Sequence, residues 1–403
     1  MKITAIETFP SGAGWKNWVF VRVHTDEGIS GVGEGTLNGF ARTIAAAVDE
    51  LSIFALGEDP RQVTTIARRL LDKVSNDGGH IHKTAVAAIE VACWDILGQS
   101  LGVPIHTLLG GQVRSSVRGY ANGWYRVPRG PQEFVEAAAA VTATGLRALK
   151  LDPFGTAQDF IDDDDLVVAV AIVAELRAGL GPDFAILIDA HARFTEAEAA
   201  RVADALAPYG IFWFEEPTSR ELDDGAARVA ARTSVRIATG ETFANAGQFF
   251  ALARAGGVSI WQPEPMSLGG IGPTMRVAAL AASAGAWIAP HQSGGPIATA
   301  ICLQLAASVE NFLIQEHFDP FNEPWTRDLV SWHPAIDQGT GQLSLPDGPG
   351  LGIDFDDDVA RAHPYDPNAY LDIHQEGWEK RLGTRPGPDG SPSTDHSAPS
   401  HSS

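Results

Sequence analysis

Three short stretches decide the fold of this chain: Ile188–His191 (IDAH), Phe214–Pro217 (FEEP) and Thr239–Glu241 (TGE). In each of them a carboxylate follows an apolar run that is typical of a buried strand. The three carboxylates stand at positions 189, 215 and 241, so both intervals are 26 residues. An interval of about that length holds one strand, one helix and two short loops, so the spacing predicts a parallel βα repeat.

The same repeat extends in both directions along the chain. Apolar runs that end in a polar residue predict eight strand ends, near Tyr120, Lys150, Asp189, Glu215, Glu241, Glu264, His291 and Glu316. Alanine-rich helical patterns lie between them, and Thr195 with Glu198 three residues later is typical of a helix start. Eight strand ends in phase predict an α/β fold of the modified (β/α)8, TIM-type barrel class. The acidic run Asp162–Asp165 indicates either a solvated loop or the start of a helix.

The three acids after the strands are the first candidate site. A single acid at such a position commonly caps a helix or lies in a solvated loop. Three acids in phase are poorly explained in that way, because the strand ends of a parallel barrel all face one mouth. Carboxylates brought together there would repel each other unless a cation bound between them. Oxygen ligands favour magnesium or manganese, so we predict that Asp189, Glu215 and Glu241 bind Mg²⁺.

The chain divides into four predicted parts. Residues 1–115 read as an N-terminal α+β capping domain, 116–335 as the barrel, 336–380 as a segment that returns to the capping domain, and 381–403 as a disordered tail. In the first part, two strand patterns flank the glycine-rich segment Ser11–Trp18. That segment is either an ordinary surface loop or a lid that brings Trp15 and Trp18 over a pocket.

Composition limits the possible partners. The chain has 403 residues and a net charge of −21, with an isoelectric point near 4.9. This charge argues against nucleic acid and against an anionic membrane as partners. Cys93 and Cys302 lie in apolar helical patterns, so we predict that both are buried free thiols and that the protein is in a reducing compartment. We expect a cytoplasmic protein that forms a homo-oligomer and acts on a small molecule.

Four further residues at predicted strand ends are candidates for chemistry. His191 and His291 would flank the metal from opposite sides of the mouth, as suits a general acid and a general base. If the strand continues past Asp189, His191 faces the same side as that acid. Glu264 is placed to orient His291, and Glu316 ends the last strand, although both are also compatible with purely structural roles.

The glycine-rich stretch Gly269–Pro273 opens a helix after the sixth strand. It would suit either an anion at the helix N-terminus or close packing of a strand against a helix. Nucleophile-elbow and zinc-ligand patterns such as GxSxG, CxxC and HExxH are absent from the sequence.

Taken together, these motifs resemble the enolase superfamily, mandelate racemase subgroup, over about residues 1–360. Within that subgroup, the stretch from Asp189 to Phe194 resembles the galactonate and gluconate dehydratases of acid sugars. The resemblance implies that a substrate carboxylate binds Mg²⁺ and that His291, paired with Glu264, removes the α-proton. Glu316 would donate a hydrogen bond to the enediolate, and His191 would protonate the departing β-hydroxyl. The product would be a 2-keto-3-deoxy acid.

Two positions depart from the resemblance. Glu264 stands where the family has aspartate, and Lys150-Leu151-Asp152 stands where racemases have Lys-x-Lys. The loss of the second lysine favours the histidine mechanism, while Lys150 binds either the substrate or an acid. We predict substrate contacts by Lys150, Asp152, Trp15 and Trp18. The alternatives are an epimerase, racemase or lactone cycloisomerase acting through the same enediolate. A non-enzymatic binding protein is disfavoured because all the site residues are present.

Overall fold

The computed structural model describes residues 1–74, 78–220 and 224–382. An antiparallel sheet opens the chain, with strands β1 (Ile3–Gly12), β2 (Asn17–Thr25) and β3 (Ser30–Glu34) paired in that order. Four helices follow the sheet: α1 (Ala41–Ser52), α2 (Val63–Leu71), α3 (Gly79–Leu101) and α4 (Ile105–Leu108). This first unit is the capping domain, and its own apolar core lies between the sheet and α1, α2 and α3.

The second unit alternates strands and helices. Its elements are β4 (Ser116–Ala121), α5 (Pro131–Thr144), β5 (Ala148–Leu151), α6 (Asp163–Leu180), β6 (Ala185–Asp189), α7 (Glu196–Leu206), β7 (Trp213–Glu215), α8 (Gly225–Ala230), β8 (Ile237–Thr239), α9 (Ala246–Ala255), β9 (Ile260–Trp261), α10 (Pro265–Leu268), α11 (Ile271–Ser283), β10 (Trp287–Ile288), α12 (Pro296–Ser308) and β11 (Gln315–His317). After it come β12 (Gln342–Ser344) and α13 (Asp357–Ala362). Short 3-10 turns cover Ala207–Tyr209, Asp319–Phe321, Pro324–Leu329 and Trp378–Lys380.

The strands of the second unit form a parallel barrel. Their order is β10-β9-β8-β7-β6-β5-β4-β11, and β12 adds an antiparallel strand beside β4. A parallel bridge between Ile288 and Phe312 joins the two ends of this series. Side chains such as Tyr120, Leu187 and Trp213 fill the interior, as a packed barrel requires. The predicted fold class, a barrel with a capping domain, is therefore confirmed.

Local signals in the sequence account for several helix starts. The side chain of Thr195 accepts a hydrogen bond from the amide of Glu198 at the start of α7. Asp162 likewise accepts from the amide of Asp165, so the acidic run is the start of α6 rather than a free loop. Carboxylates in the first turn of a helix also complement its dipole.

Buried acids of the capping domain bind the helix N-termini of the barrel. Glu34, at the end of β3, accepts hydrogen bonds from the amides of Gly295 (2.7 Å) and Ala298 (2.9 Å) at the start of α12. Helix N-termini stabilise negative charge, so this contact fixes the capping domain over the barrel mouth.

Glu90 of α3 makes the equivalent contact with α11. Its carboxylate accepts from the amides of Ile271 (2.9 Å) and Gly272 (2.8 Å). A side chain on Gly270 would collide with that carboxylate, so the glycine is required for the close approach. For the glycine-rich stretch Gly269–Pro273, the sequence left an anion and close packing as alternatives, and the structure places the carboxylate of Glu90 at this helix start.

The end of the described chain returns to the capping domain. The amide of Asp366 donates to Asn17 at 2.8 Å, and Asn17 donates to the backbone of Asp366 and Ala369. Of the predicted tail, residues 383–403 lie outside the described residues, while Arg381 is buried with 7% of its surface exposed. Within the described residues, every helix is too short or too polar to span a membrane.

Candidate active site

Three carboxylates converge at the mouth of the barrel. Asp189 ends β6 and Glu215 ends β7, and the two residues are paired in the sheet register. Glu241 lies two residues beyond β8. One carboxylate oxygen from each of the three lies within 4.8 Å of the others. The structure thus brings together the acids that the spacing predicted as metal ligands.

The chemistry of this cluster fits a divalent cation. Glu241 has a buried carboxylate oxygen, Oε2, that accepts no hydrogen bond from the described residues. Burying such an oxygen without a hydrogen bond is costly, and a bound cation would offset that cost. Three oxygen donors match the preference of Mg²⁺, and they leave coordination positions for a substrate.

Lys150, near the carboxyl end of β5, lies against the same cluster. Its ammonium nitrogen is 2.5 Å from Glu215, 3.0 Å from Glu316 and 3.1 Å from Asp189. Burial opposes the charge of this lysine, but the three carboxylates raise its pKa well above the usual value. The sequence left two roles open for Lys150, binding of the substrate and pairing with an acid, and the structure shows pairing with acids.

We expect Lys150→Met to destabilise the metal-free protein. The substitution keeps the length of the side chain but leaves buried Glu215, Asp189 and Glu316 without their cation. Breaking a buried pair in this way costs about 3–5 kcal/mol of unfolding free energy. Urea unfolding in the presence of a chelator measures this cost, with exposed Lys2→Met as the control. An unfolding midpoint equal to that of the control would contradict the assignment of Lys150 as the main counter-charge.

His191 lies just past β6, and the backbone there is unusual. The strand ends at Asp189, and His191 and Ala192 have φ angles of 49° and 59° in the left-handed region. The expectation that the strand continues and turns both side chains to one side is therefore wrong. A tight turn takes its place, in which the amide of His191 donates to Asp189 at 2.8 Å. Non-glycine residues in this region cost conformational energy and are concentrated at functional sites.

Asp152 holds the imidazole of His191 in place. The Nδ1 of His191 donates to the Asp152 carboxylate over 2.7 Å, and Arg193 pairs with the same carboxylate. The other ring nitrogen, Nε2, is then directed to the cluster, 3.4 Å from Asp189. Asp152 is fully buried, and its other oxygen accepts from the amide of Phe154 at 2.9 Å, so its direct role here is to position His191. The predicted substrate contact of Asp152 stays untested.

His291 forms a matching pair on the other side of the mouth. It lies three residues beyond β10, and its Nδ1 donates to Glu264 over 2.6 Å. Its Nε2 is 3.4 Å from Glu241. Strands β6 and β10 are four places apart in a ring of eight, so the two histidines enter from opposite sides. The two predicted histidines and the predicted Glu264 partner are thus placed around the acids.

The longer side chain of Glu264 has two contacts. Glu264 lies beyond the short strand β9 and caps α10 by accepting from the amide of Met266 at 3.1 Å. Its second oxygen holds His291. One carboxylate thereby fixes both the helix start and the imidazole, so the extra methylene is accommodated within the His291 pair.

Glu316, in β11, is an acceptor in this structure. One of its oxygens accepts from Asn122 (2.7 Å) and lies by Lys150, while the other accepts from the amide of Gln292 (2.9 Å). Burial disfavours its charge, but Lys150 and His291 hold its pKa below the usual value. This environment favours the ionised form and gives no support to the expected role of Glu316 as a hydrogen-bond donor.

The electrostatics of the site follow from crowding of charge. Burial and the neighbouring Asp189 raise the pKa of Glu215 well above its usual value. Burial also opposes the ionisation of Asp189, yet His191 and Lys150 hold its pKa below the usual value. For His291, burial is outweighed by Glu241, Glu264 and Glu316, which raise its pKa to about 10. The excess of carboxylates at this site therefore favours the binding of a cation.

The predicted lid is shorter than the sequence suggested. Strands β1 and β2 continue to Gly12 and from Asn17, so only residues 13–16 form the turn. Trp18 lies inside β2 and packs on Phe20 and Trp325. Trp15 is in the turn and packs on Phe318 beside the end of β11. Of the two tryptophans, Trp15 is the better placed for a substrate contact, and both contacts stay predictions.

Sequence reasoning missed several residues of the site. Glu216 accepts hydrogen bonds from Thr239 (2.9 Å) and the amide of Gly240 (2.7 Å), which fixes the chain just before Glu241. Trp378, from the end of the described chain, contacts the ring of His191 with centroids 6.2 Å apart. The motif FEEP points to Glu216 in hindsight, whereas no periodic signal marks Trp378.

The chain matches known families over most of its length. Residues 6–110 match the family described as mandelate racemase / muconate lactonizing enzyme, N-terminal domain. Residues 133–359 match the family described as enolase C-terminal domain-like. The first match covers the capping domain and the second covers most of the barrel, including all three acids of the cluster.

Curated relatives span nearly the whole described chain. The D-galactonate dehydratase of Ralstonia nicotianae is 36% identical over 364 residues, which are 89% of this chain and 93% of the relative. The D-gluconate dehydratase of Thermoproteus tenax is 33% identical over 358 residues, which are 88% of this chain and 72% of the relative.

Solved structures agree in fold. The mandelate racemase/muconate lactonizing enzyme from Jannaschia sp. CCS1 has a TM-score of 0.84 at 31% identity, covering 91% of this chain and 99% of that one. Its counterpart from Sulfitobacter sp. has a TM-score of 0.85 at 30% identity, covering 93% and 98%. On these matches in both domains, the chain belongs to the mandelate racemase/muconate lactonizing enzyme family of the enolase superfamily.

Proposed function

We propose that the protein is a hydro-lyase that dehydrates a sugar acid to a 2-keto-3-deoxy acid. The observation that carries this proposal is the pair of histidine–carboxylate units, His191 with Asp152 and His291 with Glu264, on opposite sides of one acid cluster. Each unit presents its Nε2 toward the cluster. A base on one face and an acid on the other are what anti elimination of water requires.

The acid cluster supplies the binding point for the substrate carboxylate. Asp189, Glu215 and Glu241 would hold a divalent cation there. When bound, Mg²⁺ would offset the carboxylate field around the histidines and make the α-proton of the substrate more acidic. Lys150 keeps the cluster together by contributing a fixed positive charge beside Asp189 and Glu215.

His291 is the proposed base. Its Nε2 takes the proton from C2 of the substrate, and Glu264 holds the ring through Nδ1 and stabilises the imidazolium that forms. The electron pair of the broken C2–H bond moves onto the substrate carboxylate to give an enediolate, and it then forms the C2–C3 double bond as the C3 hydroxyl departs. His191 donates the proton that turns this hydroxyl into water. The enol so formed tautomerises in solution to the 2-keto-3-deoxy acid.

The relatives guide the choice of substrate class. The curated proteins with 33–36% identity to this chain are named D-galactonate dehydratase and D-gluconate dehydratase. We therefore propose an aldonate of this type as the starting substrate. Magnesium as the cofactor, a cytoplasmic location and a homo-oligomeric state are further parts of the proposal.

A screen of sugar acids with Mg²⁺ tests the function. Formation of a 2-keto acid, detected with semicarbazide, is the expected result. An epimerase or racemase would instead return a stereoisomer of the substrate, and a cycloisomerase would act on a lactone, so neither gives the semicarbazone. A screen that yields only stereoisomers would move the function to an epimerase on the same site.

We expect His191→Asn to separate the two steps of the reaction. A general acid contributes about 10²–10⁴-fold, so dehydration should fall by about that factor. The α-proton should still exchange with solvent, because His291 and the acid cluster remain. Proton NMR in deuterium oxide follows the C2 proton and the product together. Loss of exchange in a folded, metal-binding variant would contradict the assignment of His191 as the acid.

A further inference from the structure

A buried lysine at the barrel mouth has no hydrogen-bond or ion-pair partner among the described residues. Lys16 closes the turn between β1 and β2, and 2% of its surface is exposed. Its Nζ lies 4.1 Å from the ring centre of Trp15 and 5.0 Å from that of Phe318. This nitrogen forms no hydrogen bond with any described residue. An ammonium group buried without hydrogen bonds is costly, so the position calls for a ligand.

A second buried cation lies on the same tryptophan. The guanidinium of Arg381 is 4.9 Å from the ring centre of Trp15 and 4.9 Å from that of Tyr125. Its Nε has no hydrogen-bond partner among the described residues, and a terminal nitrogen lies 3.5 Å from the Asn122 side-chain oxygen. Neither Arg381 nor Lys16 forms an ion pair within the described part of the chain.

The two cations lie next to the proposed reaction centre. Asn122, which Arg381 contacts, also donates to Glu316 at 2.7 Å. Burial and the nearby Arg381 lower the pKa of Lys16 to about 7, while Glu34, Glu316 and Glu264 act in the opposite direction. Glu316 holds Lys150, and Glu264 holds His291. The capping turn and the chain end therefore bring positive charge to the edge of the catalytic site.

A neutral ligand would not explain this arrangement. A terminal hydroxyl carries no charge, so it would not offset the mutual repulsion of Lys16 and Arg381, which both lie against the ring of Trp15. A chain with 50 acidic residues places none of them in an ion pair with either cation within the described residues. An anionic group between Lys16 and Arg381 would relieve their repulsion and supply both with hydrogen bonds.

We propose that Lys16 and Arg381 form a subsite for the end of the substrate that is distal from the acid cluster, and that this subsite takes an anionic group. This inference rests on the proposed dehydration of sugar acids and changes the expected best substrate from a plain aldonate to a sugar acid with a charged far end. The substrate would be a sugar acid with a second charge at its far end. That charge is a second carboxylate, as in an aldarate, or a phosphate on the terminal hydroxyl.

Matched ligands test the subsite. Gluconate, glucarate and 6-phosphogluconate share the configuration of C2 to C5 and differ in the charge at C6, and galactonate with galactarate gives a second set. We expect the wild type with Mg²⁺ to favour a member with an anionic C6 over its aldonate by about 100-fold in kcat/KM, as for a buried charge pair. Comparing glucarate with 6-phosphogluconate then shows whether the subsite prefers a carboxylate or a phosphate at C6.

Variants at Lys16 show whether the preference comes from this subsite. Lys16→Met should remove most of the preference, because it lowers kcat/KM for the acid with a charged C6 far more than for the aldonate, and Lys16→Arg should retain most of the preference. Exposed Lys2→Met is the matched control. If Lys16→Met fails to fold, Arg381→Met takes its place in the same comparison. If the wild type favours the aldonate and Lys16→Met has the same kcat/KM values as the wild type, the subsite is overturned while the dehydratase function stands.

Calorimetric binding separates the subsite from the proposed function. Glucarate that binds more tightly than gluconate in a Lys16-dependent manner, with no 2-keto acid formed from any of the five acids, would support the subsite and contradict the dehydratase. Equal binding of glucarate, 6-phosphogluconate and gluconate, or binding of none of them and of neither galactonate nor galactarate, would overturn the subsite.

Discussion

His291→Asn should abolish both turnover and exchange of the α-proton. The imidazole is the only proposed acceptor for the C2 proton, and asparagine cannot take a proton at neutral pH. Asparagine still offers an amide to Glu264, so the local fold should persist. We expect a loss of about 10⁴-fold or more in both rates, at the upper end of what a general base contributes.

The measurement is proton NMR of the substrate in deuterium oxide with Mg²⁺ present. His24→Asn is a suitable control, because His24 lies on the outer face of the capping sheet and pairs with Glu7. Exchange at the wild-type rate in His291→Asn would move the base to another residue. Circular dichroism checks that the variant is folded, because unfolding would also remove both rates.

Glu215→Gln should remove most of the affinity for magnesium. Glu215 is fully buried and lies between Lys150 and the indole of Trp213, which donates to it at 2.8 Å. Glutamine keeps the size of the side chain and can still accept from Trp213. Mutating a residue that only supports a metal ligand typically lowers metal affinity about 10–100-fold. Replacing a direct ligand should therefore lower the affinity by about 100-fold or more.

Titration calorimetry with Mg²⁺, and the rise in thermal midpoint that Mg²⁺ produces, measure this loss. Glu310→Gln, an exposed acid after α12, is the control and should bind like the wild type. Unchanged Mg²⁺ affinity in Glu215→Gln would contradict the metal site. Full activity of the wild type in excess chelator would contradict it independently.

The parts of the fold that could be predicted are those with a repeating physical cause. A strand buried on both faces must be apolar throughout, so each strand of the barrel appears as a short run that ends in a polar residue. Equal spacing then follows from the constant length of a βα unit. Asp189 and Glu215 were correctly placed side by side because both are the last residues of neighbouring strands. Thr195 was recognised as a cap for a similarly local reason.

The parts that could not be predicted depend on distant contacts. The strands are shorter than the apolar runs, so Glu241, Glu264 and His291 lie in the loops that follow them. The orientation of His191 comes from Asp152, which is 39 residues earlier in the chain. Hydrophobic periodicity carries no information about such a contact.

The proposed subsite of Lys16 and Arg381 also depends on a distant contact that no sequence pattern shows. Lys16 and Arg381 meet on Trp15 although almost the whole chain separates them. A glycine-rich turn and a segment after the last helix each look unremarkable as sequence. Only the fold shows that the two segments meet over the mouth of the barrel.

One measurement tests the central claim most directly. The wild type is incubated with Mg²⁺ and its best sugar acid in deuterium oxide, and the products are followed by NMR. Dehydration across C2 and C3 predicts a 2-keto-3-deoxy acid that carries solvent deuterium at C3. Recovery of the substrate and its C2 epimer with deuterium at C2, and no 2-keto acid, would contradict it.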